Sequence, residues 1–249
     1  MATEATPRNM HAVVIGASGG IGSALVAELG ADPAVGQVMA LARSALDGLP
    51  AKARALPLDL TDETSIETAA KSCANGLDAE GLDLVIVASG VLHAPNLRPE
   101  RTWDELDAAT MARAFAINCT GPALAAKHFL PLLARDRRSV FAALSARVGS
   151  ISDNRLGGWY AYRASKAALN MMIRSLAIEL RRKNPSAICV GLHPGTVDTP
   201  LSAPFQTRVP DTQLFTPERA ARELLNVMSQ LTAAQSGRVL AWDGREIEP

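Results

Sequence analysis

Short apolar segments alternate with longer segments of helical periodicity along the chain. The apolar runs occupy residues 11–16, 37–42, 82–89, 139–144 and 187–192. They are apolar throughout instead of alternating with polar residues, as is typical of strands that helices cover on both faces. Between them, apolar residues recur every three or four positions, which predicts helices. The helical segments are 21–29, 63–74, 110–133 and 160–182. This alternation predicts an α/β fold with a doubly wound parallel sheet in three layers.

The composition is uniform along the chain, and 249 residues are within the size of one domain. We therefore expect a single domain at 10–249, preceded by a flexible N-terminus at 1–9. The segment 200–218 contains four prolines and follows the last long strand. We expect it to be a loop over the substrate site, followed by a helix at 219–231.

The charge balance argues against macromolecular partners. There are 25 basic and 25 acidic residues, so no global field would attract nucleic acid or an anionic membrane surface. No apolar stretch approaches eighteen residues. The first residues lack the charged and apolar regions of a signal peptide. We expect a cytoplasmic protein whose partner is a small molecule.

The potential metal ligands are scattered. Four histidines lie far apart, which argues against a metal site. Three cysteines in apparently buried elements suggest free thiols in a reducing compartment; they are Cys73, Cys119 and Cys189.

A glycine-rich turn follows the first predicted strand and begins the first helix. The run GASGGIG at 16–22 has the spacing Gly-x-x-x-Gly-x-Gly. Glycines let the backbone approach a pyrophosphate closely, and the N–H groups at a helix start stabilise its charge. The turn therefore predicts a dinucleotide site; a tight strand-to-helix connection is the alternative. The candidate binding residues are Gly16, Ser18, Gly20, Ile21 and Gly22.

Two positions further along bear on the nucleotide. After the second strand, where an acidic residue would bind a ribose 2′-hydroxyl, the chain has Arg43. Because arginine pairs with a 2′-phosphate, NADP(H) is favoured over NAD(H), unless Arg43 is only a solvated surface charge. Asp59, next to Leu60, could accept from an adenine amino group or cap a helix that starts near Thr61.

Tyr162 and Lys166 lie four residues apart in a predicted helix, so their side chains share one face. A nearby ammonium favours the phenolate and is expected to lower the tyrosine pKa. The pair therefore suggests a general acid and base, although such spacing also occurs between a packing residue and a solvated charge.

Taken together, these motifs resemble the short-chain dehydrogenase/reductase family over residues 11–245. Within it, the stretch GSISDNRLGGWYAYRASKAALNM resembles the C-factor-like and sniffer-type carbonyl reductases. GASGGIG matches the family's cofactor turn, LDL at 58–60 its adenine contact, and YRASK at 162–166 its catalytic pair. Further matches are Ala88, Ser89 and Gly90 at the end of the strand predicted at 82–89, Asn118, and HPGTVDT at 193–199.

The resemblance implies a Rossmann-type sheet of about seven strands and an oxidoreductase that exchanges hydride between nicotinamide and a carbonyl or alcohol. It implies that Lys166 binds the nicotinamide ribose and that Asn118 positions a water for proton relay. The nicotinamide carboxamide would be held by Pro194, Gly195, Val197 and Thr199. The resemblance also implies a homodimer or homotetramer formed by the helices at 110–133 and 160–182, with contacts from Ala161, Ala164, Ala168 and Met172.

The chain departs from the family at two places. The usual Asn-Ala-Gly is replaced by Ala88, Ser89 and Gly90. The usual catalytic serine is replaced by Ala146, so we assign its role to Ser145, with Ser150 as the alternative. Alternatively, Ser145 lies at the end of a strand and its hydroxyl only bonds to the backbone, without a catalytic role. A cofactor-binding regulatory or signalling protein with little turnover therefore stays open as a second function.

Several residues are expected near the substrate. His93 lies in the loop just after Gly90, which follows the apolar run at 82–89, and is expected to be a polar wall residue more than a catalytic base. Aromatic candidates for the cavity wall are Trp159, Tyr160, Phe205 and Phe215, for which core or interface packing is the alternative.

Overall fold

The computed structural model describes residues 9–77, 81–95 and 97–249. The expected flexible N-terminus lies outside them, apart from Asn9. The strands of the main sheet are β1 (Met10–Ile15), β2 (Val35–Ala42), β3 (Ala53–Pro57), β4 (Leu84–Val87), β5 (Ser139–Leu144), β6 (Ala187–His193) and β9 (Val239–Ala241). A separate two-stranded sheet contains β7 (Thr196–Val197) and β8 (Leu214–Phe215). The helices are α1 (Gly20–Ala31), α2 (Glu63–Ala74), α3 (Ala108–Phe115), α4 (Gly121–Phe129), α5 (Tyr160–Lys183) and α6 (Pro217–Gln230).

The main sheet has seven parallel strands in the order β3-β2-β1-β4-β5-β6-β9, which confirms the predicted doubly wound fold. The chain builds β1, β2 and β3 toward one edge and then returns to place β4 on the other side of β1. In such sheets a crevice opens beyond the carboxyl ends of the two strands where the direction reverses. Here those strands are β1 and β4, with Ile15 paired to Val87 at their ends.

Helices cover both faces of the sheet, and this explains why its central strands are apolar throughout. Val13 and Ile15 pack with α2, α4 and α5, whereas Ala12 and Val14 pack with α1 and α6. Each residue of β1 from Ala12 onward is therefore buried, whichever face it points to.

In the described part of the chain, no helix combines the length and the apolar character required to cross a bilayer. Cys73, Cys119 and Cys189 are buried free thiols.

The helix expected at 110–133 is interrupted. A π-helical turn, Ala116–Thr120, separates α3 from α4. Pro122 lies in the first turn of α4 and has no N–H for the carbonyl of Asn118, four residues earlier. Gly121 also lies close to Leu60, in the segment that follows β3. A Cβ added to Gly121 would be 2.7 Å from the carbonyl oxygen of Leu60. The interruption thus places Asn118 at a break in regular helix geometry.

The segment 200–218 is more ordered than the expected loop. It contains 3₁₀ turns at Ala203–Arg208 and Asp211–Gln213, and β8. Helix α6 begins at Pro217 and not at Arg219, because the Thr216 hydroxyl accepts from the N–H of Arg219 and proline suits the first helical turn. Strand β3 lies outside the five apolar runs named above, because it is an edge strand with exposed positions.

Candidate active site

A cavity of about 510 Å³ lies in the crevice beyond β1 and β4. It brings together most of the residues predicted from the sequence, although they come from seven segments of the chain. The predicted residues that line it are Gly16, Ser18, Gly20, Ile21, Arg43, Asp59, Leu60, Ala88, Ser89, Gly90, Ser145, Tyr162, Lys166, Pro194 and Thr199. Asn118, Gly22, Gly195 and Val197 lie behind these lining residues instead.

The glycine-rich turn fits a phosphate group. Gly16 has a φ of +89°, and a Cβ there would lie 2.9 Å from the main-chain nitrogen of Ser89. A Cβ on Gly22 would lie 2.8 Å from the carbonyl carbon of Gly16. Glycine is therefore needed at both positions. Within the described part of the chain, no side chain caps the start of α1, so the N–H groups of its first turn, which borders the cavity, have no side-chain partner there.

Arg43 and Asp59, the residues expected to bind the adenosine part of a dinucleotide, line the same cavity. Arg43 is exposed, and its positive charge contributes to lowering the pKa of Asp59, after the larger effect of hydrogen bonds from Thr61. Oδ1 of Asp59 accepts from the N–H and the hydroxyl of Thr61 at 2.9 and 2.7 Å. The expected alternative role of Asp59 as a helix cap is wrong, because α2 begins at Glu63 and is capped by Asp62.

Tyr162 and Lys166 meet in the cavity as their helical spacing predicts. Nζ of Lys166 lies 5.9 Å from the centroid of the Tyr162 ring and donates to the carbonyl oxygen of Leu144 at 2.7 Å. Lys166 is buried, whereas Tyr162 keeps partial exposure. Among the described residues, the Tyr162 hydroxyl has no hydrogen-bond partner. It is therefore available to a ligand.

Burial shifts both titrations. It raises the pKa of Tyr162 to about 12 and lowers the pKa of Lys166 to about 8. The direction for Tyr162 is opposite to the one expected from an adjacent ammonium, because removing the phenolate from water outweighs the attraction of Lys166 at this distance. Tyr162 is consequently protonated at neutral pH and suited to donate a proton.

Asn118 holds the loop after β4 against α5. Its Oδ1 accepts from the N–H of Val91 at 2.8 Å, and its Nδ2 donates to the carbonyl of Val91 and to the hydroxyl of Ser165. Ser165 in turn donates to the carbonyl oxygen of Tyr162 at 2.8 Å. Because both N–H groups of the amide are used, this side chain positions the loop and the tyrosine. The expected water relay stays a prediction.

The structure separates the two serine candidates. Ser145 lines the cavity, and its hydroxyl donates to Oδ1 of Asn170 at 2.6 Å. Ser150 lines a different cavity, and its hydroxyl accepts from the N–H of Asp153. The alternative in which Ser145 bonds only to the backbone is wrong. Asn170 was missed by the sequence analysis, although it lies one further turn along the face that carries Tyr162 and Lys166.

The segment after β6, which was expected to hold the nicotinamide, forms another wall of the cavity. Pro194 and Thr199 line it, and the Thr199 hydroxyl lies 3.4 Å from the carbonyl oxygen of Val197. Val197 is buried in β7 with Phe215 and Ala220. Gly195, with a φ of +80°, packs against the Phe215 ring. Phe215 is therefore a core residue, which was the alternative interpretation, and its expected place in the cavity wall is wrong.

A second cavity, of about 1080 Å³, adjoins the first and shares His93 and Ala94 with it. Trp159 and Phe205 line it, with ring centroids 4.9 Å apart in an edge-to-face arrangement. Nε2 of His93 donates to the carbonyl oxygen of Pro200 at 2.9 Å, since that oxygen can only accept. His93 is therefore a wall residue, as expected. Glu100, which also lines this cavity, and Arg113, which lines the first, had no sequence signal.

Comparison with known proteins agrees with this geometry. The family model for short chain dehydrogenase matches residues 10–209. The C-signal protein of Myxococcus xanthus is 38% identical over 143 residues, which span 57% of this chain and 81% of that protein. The structure of the NADPH-bound carbonyl reductase from chicken fatty liver superposes with a TM-score of 0.84 at 29% identity, covering 97% of this chain and 95% of that one.

A third similarity concerns the fold alone. The carbonyl reductase Sniffer of D. melanogaster has a TM-score of 0.83 at 22% identity, with 97% of this chain and all of that one covered. The expected resemblance to C-factor-like and sniffer-type proteins is confirmed by the C-signal protein together with the Sniffer structure of Caenorhabditis elegans, which is 27% identical with a TM-score of 0.79 over 97% of this chain and all of that one.

Proposed function

Because this chain belongs to the short chain dehydrogenase family, whose members act on alcohol and carbonyl groups, we propose that it is an NADP(H)-dependent carbonyl reductase. In this proposal Tyr162 is the general acid for reduction and the general base for alcohol oxidation. The observation that carries the proposal is the free hydroxyl of Tyr162, beside Lys166, in the cavity that the glycine-rich turn enters.

The residues present fit a dinucleotide. Gly16 and Gly22 let the turn at 16–22 pack closely against the segment after β4 and against itself, and the uncapped start of α1 offers N–H donors to a pyrophosphate. Arg43, exposed at the adenosine end, would pair with a 2′-phosphate, which favours NADP(H). The carbonyl reductase from chicken liver carries NADPH. When bound, the nicotinamide supplies hydride.

The chain's own residues manage the proton and the substrate oxygen. Tyr162 is protonated at neutral pH and donates its proton to the carbonyl oxygen as negative charge develops there. Ser145 lies in the same cavity and binds that oxygen when its hydroxyl rotates away from Asn170. Lys166, held by the carbonyl of Leu144, places positive charge near the resulting phenolate.

The decisive experiment compares Tyr162→Phe with Tyr160→Phe. Oxidation of NADPH is followed with a panel of aldehydes, ketones and quinones, and NADPH affinity is measured separately. Tyr162→Phe is expected to lower kcat at least about a hundredfold with NADPH affinity nearly unchanged. Tyr160 lines another cavity, so its variant is expected to retain kcat. Equal turnover in both variants would refute the role of Tyr162. No turnover with any substrate would favour the cofactor-binding regulatory function.

We further propose that the protein forms a homodimer or homotetramer through α5 and its copy. The expectation that Ala161 contributes to the contact is wrong, because this residue is buried within its own chain. Ala164 is exposed, Ala168 is half-buried, and Met172 is 36% exposed, as an intersubunit face requires. Met171, at 65% exposure, extends the same apolar surface.

A further inference from the structure

Trp159 has an unusual backbone conformation. Its φ is +51° and its ψ is +44°, and it is the one non-glycine among the described residues with a positive φ. Gly157 and Gly158 precede it, each with a φ of +63°. Glycine adopts such angles without strain, whereas a bulky residue in the left-handed region is strained and persists only where its surroundings hold it.

Hydrogen bonds to Glu100 keep Trp159 in this conformation. Its carbonyl oxygen accepts from the N–H of Trp159, and Oε2 of its side chain accepts from the N–H of Ala161 at 3.2 Å. Glu100 is only 3% exposed, and its Oε1 is buried with no hydrogen-bond partner among the described residues. A buried carboxylate with one unpartnered oxygen is costly, so its position requires compensation. Part of that compensation is the favourable start of α5, where N–H groups attract negative charge.

The ring of Trp159 occupies the boundary between the two cavities. It packs edge-to-face against Phe205 at 4.9 Å and against Tyr162 at 6.3 Å, measured between ring centroids. Phe205 contacts His93 at 5.8 Å in the same way, and His93 lines both cavities. The direction of the Trp159 side chain follows from its left-handed backbone. With an extended or right-handed backbone the same side chain would leave this boundary.

We propose that Trp159 determines substrate specificity and that Glu100 is the positioning residue that keeps it in place. This proposal rests on the proposed carbonyl reductase function. A carbonyl held at Tyr162 directs its substituent past Trp159 into the larger cavity. That cavity also has charged lining residues, Arg98, Arg101 and Glu105, but the surface that adjoins Tyr162 is the aromatic ring of Trp159, which packs on Phe205. The site therefore selects carbonyl compounds with a flat apolar substituent over small aliphatic ones.

The test compares 2-naphthaldehyde with propanal in four variants. Trp159→Gly removes the ring, and glycine adopts the left-handed conformation without strain. Trp159→Asn is the second variant, because asparagine also tolerates that conformation. Glu100→Met removes the carboxylate acceptor at similar length, whereas Glu100→Gln keeps an oxygen for the N–H of Ala161. Thermal denaturation and NADPH affinity verify that each variant is folded.

We expect both Trp159 variants and Glu100→Met to raise KM for 2-naphthaldehyde about tenfold, with kcat/KM for propanal within about twofold of wild type. Glu100→Gln is expected to behave like wild type. A purely structural role for Glu100 would lower both activities in parallel and leave their ratio unchanged. An unchanged ratio in Trp159→Gly or in Glu100→Met overturns the proposal.

A binding measurement separates this proposal from the proposed function. Calorimetric titration with 2-naphthalenemethanol, the corresponding alcohol, requires no turnover. If wild type turns over neither aldehyde but Trp159→Gly and Glu100→Met weaken alcohol binding about tenfold, the specificity site stands and the reductase function fails. If turnover is normal and binding is equal in wild type and in both variants, the specificity site is refuted while the reductase function stands.

Discussion

The hydroxyl of Ser145 donates a 2.6 Å hydrogen bond to Oδ1 of Asn170, which lies one helical turn beyond Lys166 and two beyond Tyr162. One face of α5 thus supplies three side chains to the site, and the third acts through Ser145. While this bond is made, the Ser145 oxygen can only accept from the cavity. Asn170 therefore influences whether Ser145 can donate to a substrate carbonyl.

Ser145→Ala and Asn170→Ala provide the first prediction. Ser145→Ala is expected to lower kcat about tenfold to a hundredfold, because one donor to the substrate oxygen is lost. Asn170→Ala is expected to have a smaller effect. Since Asn170 acts through Ser145, the double variant should be no slower than Ser145→Ala, as a double-mutant cycle on kcat measures. Additive losses would show that the two residues act independently.

Ala146→Ser in the Ser145→Ala background is the control for this assignment. If the serine at 145 provides the hydroxyl, a new hydroxyl at 146 should leave kcat within about threefold of Ser145→Ala. Recovery to wild-type turnover would instead assign the substrate-facing position to residue 146. Circular dichroism melting separates lost stability from lost catalysis.

Arg43→Asp is expected to reverse the coenzyme preference. A carboxylate at this position repels a 2′-phosphate and can accept from the 2′-hydroxyl of NAD(H), so affinity for NADPH should fall and affinity for NADH should rise. Each tenfold change in Kd corresponds to about 1.4 kcal/mol. Arg54→Asp on the edge strand β3 makes the same charge change away from the cavity and is the matched control. Equal losses in the two variants would exclude a direct role for Arg43.

The pH dependence of activity should differ between the two directions. Tyr162, with its pKa raised to about 12, keeps its proton in reduction throughout the usual pH range. Lys166, with its pKa lowered to about 8, loses its charge above that pH, so kcat/KM for reduction should fall there. Alcohol oxidation needs the Tyr162 phenolate and should gain as pH rises. Lys166→Met should abolish the decline near pH 8 in the reduction profile, measured at saturating NADPH; a decline that persists would belong to another group.

The same lysine links stability to pH. Between pH 8 and 10.5 the unfolded chain binds a proton at position 166 that the folded chain has released, so this residue makes the free energy of unfolding increase with pH across that window. Denaturant unfolding at pH 7.5 and pH 10 should show a larger gain, or a smaller loss, for wild type than for Lys166→Met. Identical pH dependence in the two proteins would contradict the lowered pKa.

Light scattering tests the proposed association. Wild type at micromolar concentration should have at least twice the 26.2 kDa of one chain. Ala168→Arg should dissociate it, because a charged side chain would be buried without a partner in the α5 contact. Ala234→Arg, at an exposed position outside α5, should leave the mass unchanged. A monomeric wild type refutes the association.

The features that the sequence predicted well depend on residues close together in the chain. The apolar runs identify the buried strands because helices cover both faces of the sheet, and the spacing of Tyr162 and Lys166 brings them together because one helical turn is 3.6 residues. The turn at 16–22 can be recognised from its glycines, because only glycine fits the positive φ at Gly16 and the close backbone approach at Gly22. Edge strand β3 lacks a long apolar run, because an edge strand with exposed positions needs little apolar sequence.

Only the tertiary structure decided contacts between distant segments. The partner of Ser145 is 25 residues away, and the carboxylate of Glu100 binds Ala161 across 61 residues. No periodicity links such positions, because their approach depends on how α5 packs against β5 and on the path of the chain after β4. Burial, which raises the pKa of Tyr162 against the attraction of Lys166, is likewise a property of the packed fold. Local spacing therefore determined which groups could react, and packing determined their environment.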